Sequence, residues 1–244
     1  MPIALGGDLS LETMLKAYRG GVFPFPPSNE HWADWSEEQW GAALDEGRIP
    51  VLSPTEPRFA LQRWAPGRRA VLTPATARLG STYRRKLLRT DWTTTLDTVP
   101  ATVVERCGPG RGKETWLSRD LADAFLRLAG AGVLHTVEVW DEEGELIGGM
   151  FGVLTGTVLS VESGFRTQDN VVKVALLDAL DRLTTAGGQL LDVQILSPHL
   201  AAIGAQEIPK ADFHTFLEAG LGTTIELPTE RLPVRRLLKA PEGP

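Results

Sequence analysis

The alternation of apolar and polar positions is clearest over residues 134–196. Val137 and Val139 alternate with Glu138 and Trp140, the two-residue period of a half-buried strand over 133–140. A turn at 141–144, a strand over 145–153, a turn at Thr155-Gly156-Thr157 and a strand over 158–162 complete an antiparallel meander. The period then changes. Val172, Leu176, Leu180 and Leu183 share one helical face over 171–185, with Asn170 at the cap position and Gly187-Gly188 as the stop. A last strand covers 190–196. Meander, helix and strand in one unit predict an α+β fold with a mixed, largely antiparallel sheet flanked by helices.

Outside this stretch the pattern predicts helices over 10–19 (Ser10 as N-cap), 36–46 (Ser36 with Gln39 as a capping box), 79–89, 117–128, 198–204 and 209–217. Residues 51–69 read as loop, 96–107 as mixed and 108–112 as a flexible break, and the tail beyond Leu227 is expected to lose order at its end. A small N-terminal domain over 1–70 and a catalytic domain over 71–244 are expected, with an insertion at 28–50 carrying Trp32, Trp35 and Trp40. Those tryptophans read first as packing anchors.

Composition narrows the function. The chain is 42% hydrophobic, has no apolar run of the roughly 18 residues a bilayer span needs, and shows no signal-peptide pattern, so a cytoplasmic protein is expected. One cysteine excludes an internal disulfide framework. A net charge of −6 argues against indiscriminate nucleic-acid coating. Yet Arg58, Arg63, Arg68, Arg69, Arg78, Arg84, Arg85, Lys86 and Arg89 follow one another without an intervening acid. That run is either a phosphate-binding face or a solvated surface.

The candidate chemistry interrupts the apolar pattern. Asp192 and Gln194 stand two apart in a strand otherwise made of Leu190, Leu191, Val193, Ile195 and Leu196, hence on one face. A carboxylate there is costly unless paired or used, so the two mark a site, or else a satisfied structural pair at a strand edge. Glu162-Ser163 closes the preceding strand before a polar loop. Four scattered histidines give no metal-ligand spacing, Cys107 has no local base, and no phosphate loop is present. No metal or cofactor is expected. Arg127 to Gly132 matches the R-x-x-G-x-G pattern of acetyl-coenzyme A enzymes, but its glycines follow a helix rather than open one, which excludes that use.

A series of motifs then stands in order: Ala4-Leu5-Gly6-Gly7-Asp8-Leu9; Ala17-Tyr18 with Gly21-Val22-Phe23-Pro24; Ser53-Pro54 with Pro57-Arg58; Thr115-Trp116-Leu117; Glu138-Val139-Trp140; Gly148-Gly149-Met150-Phe151-Gly152-Val153; Glu162-Ser163 with Phe165 and Lys173; Leu191-Asp192-Val193-Gln194; His199-Leu200; Gly204-Ala205; Glu207-Ile208-Pro209. Together they resemble the leucyl/phenylalanyl-tRNA–protein transferases, the Ser53 to Arg58 stretch taking the place of that family's SPxPR motif. The resemblance implies a catalytic domain like the GNAT acyltransferases. It also implies transfer of leucine, phenylalanine or methionine from aminoacyl-tRNA to the N-terminal Arg or Lys of an acceptor protein, which marks that protein for degradation by the N-degron route, with a monomer expected.

In that picture Asp192 serves Gln194 as electrostatic partner or base, and Glu162 and Ser163 orient the donor's α-amino group. Met150, Leu176, Leu183 and Leu191 line the donor side-chain pocket, and Trp116 stacks on the terminal adenosine. Arg78, Arg84, Arg85, Lys86 and Arg89 meet tRNA phosphates. The departures are Leu52 where the family has the tryptophan before SPxPR, Gly164 and Arg166 in the ESMF segment, Ala179 and Leu183 in the pocket helix, and the long 28–50 insertion. They bear on donor preference. Transfer to a different amine and an inactive tRNA-binding relative are the alternatives.

Overall fold

In the computed structural model, which describes residues 1–111 and 115–238, two sheets organise the chain. The last residue of the predicted break, Gly112, and the end of the tail lie outside the described residues. The small sheet joins β1 (Ala4–Leu5), β2 (Phe23–Pro24) and β3 (Gln62–Trp64) in the order β1-β3-β2, all antiparallel. Between its strands run α1 (Leu11–Arg19) and α2 (Glu30–Asp45).

Helix α1 starts as its sequence dictates, the Ser10 hydroxyl accepting the Thr13 N–H, and buries Met14 and Tyr18. Helix α2 starts earlier than predicted. Asn29 accepts the Trp32 N–H as N-cap, and Ser36 is buried in mid-helix, donating to the Trp32 carbonyl. Serine satisfies itself either way, at a cap or against the carbonyl four residues back, so its presence alone did not locate the end. The segment read as loop over 51–69 also contains β3 and the start of β4.

The large sheet has eight strands in the order β10-β4-β9-β8-β7-β6-β5-β11. They are β4 (Arg68–Leu72), β5 (Thr93–Leu96), β6 (Leu134–Trp140), β7 (Leu146–Thr155), β8 (Val158–Arg166), β9 (Leu190–Gln194), β10 (Gln206–Pro209) and β11 (Leu232–Pro233). Among the described residues of this sheet only β8 and β9 pair in parallel, joined through α6 (Val171–Thr185), so the sheet is mixed and largely antiparallel. The other helices are α3 (Ser81–Leu87), α4 (Pro100–Cys107), α5 (Arg119–Gly130), α7 (Pro198–Ala201) and α8 (Lys210–Gly220).

Alternate residues of β7 feed opposite faces. Met150 joins Leu159, Leu176 and Leu191 in the core under α6, while Phe151 joins Val103, Leu121 and Phe125 in a second core. Met14, Tyr18 and Phe23 belong to that second core, which ties α1 and the small sheet to the large one. Glu138, expected on the polar side of β6, is fully buried. Its carboxylate accepts from the hydroxyls of Thr95 (2.5 Å) and Thr136 (2.6 Å) and from the N–H groups of Thr98 and Val99, where α4 begins. The tail is held as far as residue 238, β11 pairing with β5 and Arg236 reaching Asp178 and Asp181 on α6.

Candidate active site

The parallel ladder between β8 and β9 stops at the pair Ser160–Asp192, although both strands continue. Two irregularities flank that stop. On β8 the register against β7 jumps from Phe151–Ser163 to Gly152–Val161, which leaves Glu162 as the bulged residue rather than the strand's end. On β9 the register against β4 jumps from Val71–Asp192 to Ala70–Gln194, leaving Val193 unmatched, and Gln194 takes φ 63°. Bulges re-aim side chains, and a non-glycine residue at positive φ persists only where its surroundings hold it. The two irregular strands meet across the gap: Gln194 Nε2 donates to Glu162 Oε1 at 2.7 Å.

Below this contact lies a closed ion pair. Asp192 Oδ1 accepts from Arg69 Nε at 2.6 Å and from the Gln194 backbone N–H at 2.9 Å. Its Oδ2 accepts from Arg69 Nη2 at 2.5 Å and from Ser160 Oγ at 2.8 Å. Arg69 donates its remaining arm to the Gly21 carbonyl, and its guanidinium lies against the rings of Phe23 and Phe213, 4.5 and 4.6 Å from their centroids. Both partners are sealed from solvent, Arg69 at 2% exposure and Asp192 at 0%. Both oxygens of Asp192 are engaged.

In the sequence Arg69 looks like one more surface cation. A signal is nonetheless present, because Trp64-Ala65-Pro66-Gly67-Arg68-Arg69 reproduces the order of tryptophan, then x-P-x-x-R, that SPxPR preceded by tryptophan has. Arg58, the arginine of the Ser53 to Arg58 stretch, is a surface residue paired with Glu37 and Asp45. The departure at Leu52 disappears with that correction, since Trp64 takes the tryptophan's position.

Glu162 is half-buried, and desolvation pushes its carboxyl up to about 8. Tyr18 and the Arg69 charge pull the other way, while the negative charge on Asp192 adds to the rise. The Tyr18 hydroxyl is buried and has no partner at hydrogen-bond geometry among the described residues, but it lies close enough to Glu162 for each to shift the other. Burial, then the Glu162 charge, raise the Tyr18 phenol well above its usual range. Tyr18 belongs to the Ala17-Tyr18 motif, and its place on the apolar face of α1 beside Met14 gives no sign of chemistry in the sequence. The half-buried Ser163 hydroxyl has no hydrogen bond among the described residues.

Met150, Leu176, Leu183 and Leu191 come together in the core under α6, with Ala179 beside them. At Gly164 a methyl group would come within 2.9 Å of the Val172 side chain, so Val172 fills the space a larger residue needs there. Trp116 stands apart from these four. With Phe25, Trp32, Trp35, Trp40 and Trp64 it lines a groove of about 440 Å³. Trp40 and Trp64 pack edge to face at 5.3 Å, as anchors do, but Trp32 and Trp35 stay 47% and 38% exposed.

The basic run divides. Arg63 donates to the carbonyls of Gly6 and Asp8, Arg68 pairs with Glu207, and Arg58 and Arg69 are paired as described. Arg84, Arg85, Lys86 and Arg89, on and just after α3, are exposed and have no carboxylate partner among the described residues. Arg78 is exposed nearby in sequence and touches the Ala201 carbonyl at 3.4 Å.

Residues 71–218 match the family described as leucyl/phenylalanyl-tRNA protein transferase. The chain belongs to this family. It is 35% identical over 215 residues to the leucyl/phenylalanyl-tRNA–protein transferase of Escherichia coli O1:K1 / APEC, covering 88% of this chain and 79% of that one. It is likewise 35% identical over 216 residues to the same-named protein of Shigella sonnei (strain Ss046), with the same coverage. Among solved structures it is similar to L-PGS from Bacillus licheniformis (13% identity, 56% of this chain and 50% of that chain, TM-score 0.38). A second is the aminoglycoside N-acetyltransferase AAC(6')-Iy (18% identity, 59% and 92%, TM-score 0.32). Those two likenesses are partial, and no residue role follows from them.

Proposed function

We propose that the chain transfers leucine or phenylalanine, with methionine as a third donor, from aminoacyl-tRNA to the N-terminal Arg or Lys of acceptor proteins. It acts as a monomer in the cytoplasm, and its products are marked for N-degron degradation. The observation that carries this reading, in a member of this family, is the Gln194–Glu162 contact set on the buried Arg69–Asp192 pair.

The aminoacyl ester is already activated, so the protein's task is to position the two substrates and manage one proton. The neutral α-amine of the acceptor attacks the ester carbonyl carbon. The new C–N bond forms, the bond to the terminal ribose oxygen breaks, and the proton lost by the amine ends on that oxygen. Gln194 gives its Nε2 to Glu162, so its Oε1 is the end that accepts an N–H of the incoming amine and aims the lone pair. Asp192 is the electrostatic partner of this arrangement rather than the base, because Arg69, Ser160 and the Gln194 N–H occupy both its oxygens.

Glu162 with Ser163 orients the donor's α-amino group, whose positive charge favours the carboxylate form of Glu162 when it arrives. Met150, Leu176, Leu183 and Leu191 form the apolar surroundings of the donor side chain. Trp116 offers a face to the terminal adenosine, and Arg78, Arg84, Arg85, Lys86 and Arg89 meet tRNA phosphates. The test is incubation with charged tRNA(Leu) or tRNA(Phe) and a peptide beginning with Arg. RNase-sensitive transfer is expected, and its absence with every donor tRNA sinks the proposal.

A further inference from the structure

Asp178 and Arg182, one turn apart on α6, are buried to 0% and 1% exposure, and the transfer step uses neither. Arg182 Nε donates to Asp178 Oδ2 at 2.7 Å. Asp178 Oδ1 accepts from the Thr94 hydroxyl on β5 and from Arg236, whose Nε also donates to Asp181 Oδ2 at 3.0 Å. Arg182 directs its other two nitrogens to backbone, Nη1 to the Pro228 carbonyl and Nη2 to that of Glu230 at 2.9 Å. Asp178 and Arg182 reach nothing in solution, so their task is internal.

What they hold is a strap. Residues 221–231 form no helix or strand, and β11 and the short 3-10 turn Val234–Leu238 follow. Leu227, Val234 and Leu238 of this strap enter the same core as Met150, Leu176, Leu183 and Leu191, the surroundings assigned to the donor side chain. On α6 itself Asp178, Asp181 and Arg182 share one stripe, while Leu176, Ala179 and Leu183 lie on another that packs with Met150 and Leu191.

Apolar contact is non-directional and leaves a helix room to turn about its axis. Ion pairs and hydrogen bonds are directional, so the stripe at Asp178 fixes the azimuth of the stripe at Leu176. A turn of about 10° carries a side-chain tip, roughly 6 Å from the helix axis, through about 1 Å. A misplacement of about 1 Å can change a rate on the order of 10²-fold. A buried ion pair adds little net stability, which leaves orientation as what this one supplies.

We propose that Asp178, Arg182 and Arg236 are positioning residues, which clamp the strap onto α6 and thereby set the face of α6 that meets the donor side chain. The inference rests on the proposed transfer reaction. It adds a determinant of donor selectivity outside the pocket and gives the segment after α8 a task.

The experiment compares the full chain as wild type with Asp178→Leu/Arg182→Met, which removes the pair without stranding a buried charge. Charged tRNA(Leu) and tRNA(Phe) compete for transfer to an Arg-starting peptide. The product ratio then reports the ratio of their kcat/KM values and does not depend on how much enzyme is folded. The double variant is expected to change this ratio about fivefold or more, with kcat/KM for each donor down about tenfold. The peptide KM and the Kd for uncharged tRNA should remain within about twofold of wild type. A wild-type ratio overturns the proposal whether or not total activity falls, because the cluster then serves folding alone. Should the double variant fail to fold, Arg182→Lys, which keeps the charge and loses the grip on two carbonyls, decides by the same ratio. If wild type transfers from neither donor, the functional reading fails. Calorimetric titration of wild type and variant with 3′-leucylamido- and 3′-phenylalanylamido-adenosine then decides the positioning role by the ratio of affinities, and binding of neither overturns it as well.

Discussion

Arg69 and Asp192, 123 residues apart in the chain, meet in a two-pronged contact of 2.6 and 2.5 Å that excludes solvent from both. A buried pair of this kind adds little net stability, but breaking it strands a charge. Arg69→Met is expected to cost about 3–5 kcal/mol in urea unfolding and to abolish transfer. The double variant Arg69→Met/Asp192→Leu is expected to recover most of that stability and none of the activity. Recovery of transfer by the double variant would show that the pair serves folding alone.

Gln194 occupies a backbone conformation that suits glycine better than glutamine. Gln194→Gly is therefore expected to melt no lower than wild type, the relief of roughly 1 kcal/mol of backbone strain offsetting the missing hydrogen bond to Glu162. Its kcat should fall on the order of 10²-fold or more, the usual worth of a group that positions the attacking atom. A variant that loses stability and keeps its rate contradicts both halves.

The raised Glu162 carboxyl makes a pH prediction of definite sign. Between its ordinary value of 4.5 and about 8 the group is protonated in the fold and ionised in the unfolded chain. Unfolding then releases a proton, so stability falls as pH rises through this window and levels off above it. Glu162→Gln cannot ionise. Its unfolding midpoint relative to wild type should climb from pH 5 to pH 8 and then stay level. A difference that does not change with pH across this range would mean that Glu162 titrates as an ordinary glutamate.

On α3 the expected effect is electrostatic and leaves the fold alone. Arg84→Glu/Arg85→Glu changes two exposed side chains that have no carboxylate partner among the described residues, so thermal unfolding should be within about 0.5 kcal/mol of wild type. The slope of log tRNA affinity against log salt should shrink by about 0.9 for each phosphate no longer neutralised, or about 0.7 where that phosphate belongs to a single strand. An unchanged slope would place the RNA on another face.

Much of this was legible in the order of residues. The meander and the helix Val171–Thr185 follow from local periodicity, because the period of apolar residues records which face of an element meets the core. Asp192, Gln194 and Glu162 stood out because each interrupts such a period. The limits have one cause. Period is an average over neighbours in sequence, whereas partner and register are set by strands far away in the chain. Nine cations in a row look alike, and only the antiparallel pairing of β4 with β9 puts Arg69 under Asp192 while Arg68 is left on the surface with Glu207. The bulges at Glu162 and Val193 arise from mismatch with β7 and β4, so alternation along β8 or β9 alone could not reveal that they turn Gln194 onto Glu162. Glu138 alternates like a surface residue, and the start of α4, with Val99 lying 39 residues upstream, makes it a buried cap. The tryptophans of α2 share a sequence signature with packing anchors, and it took the neighbouring Phe25 and Trp116 to leave two of them open along a groove.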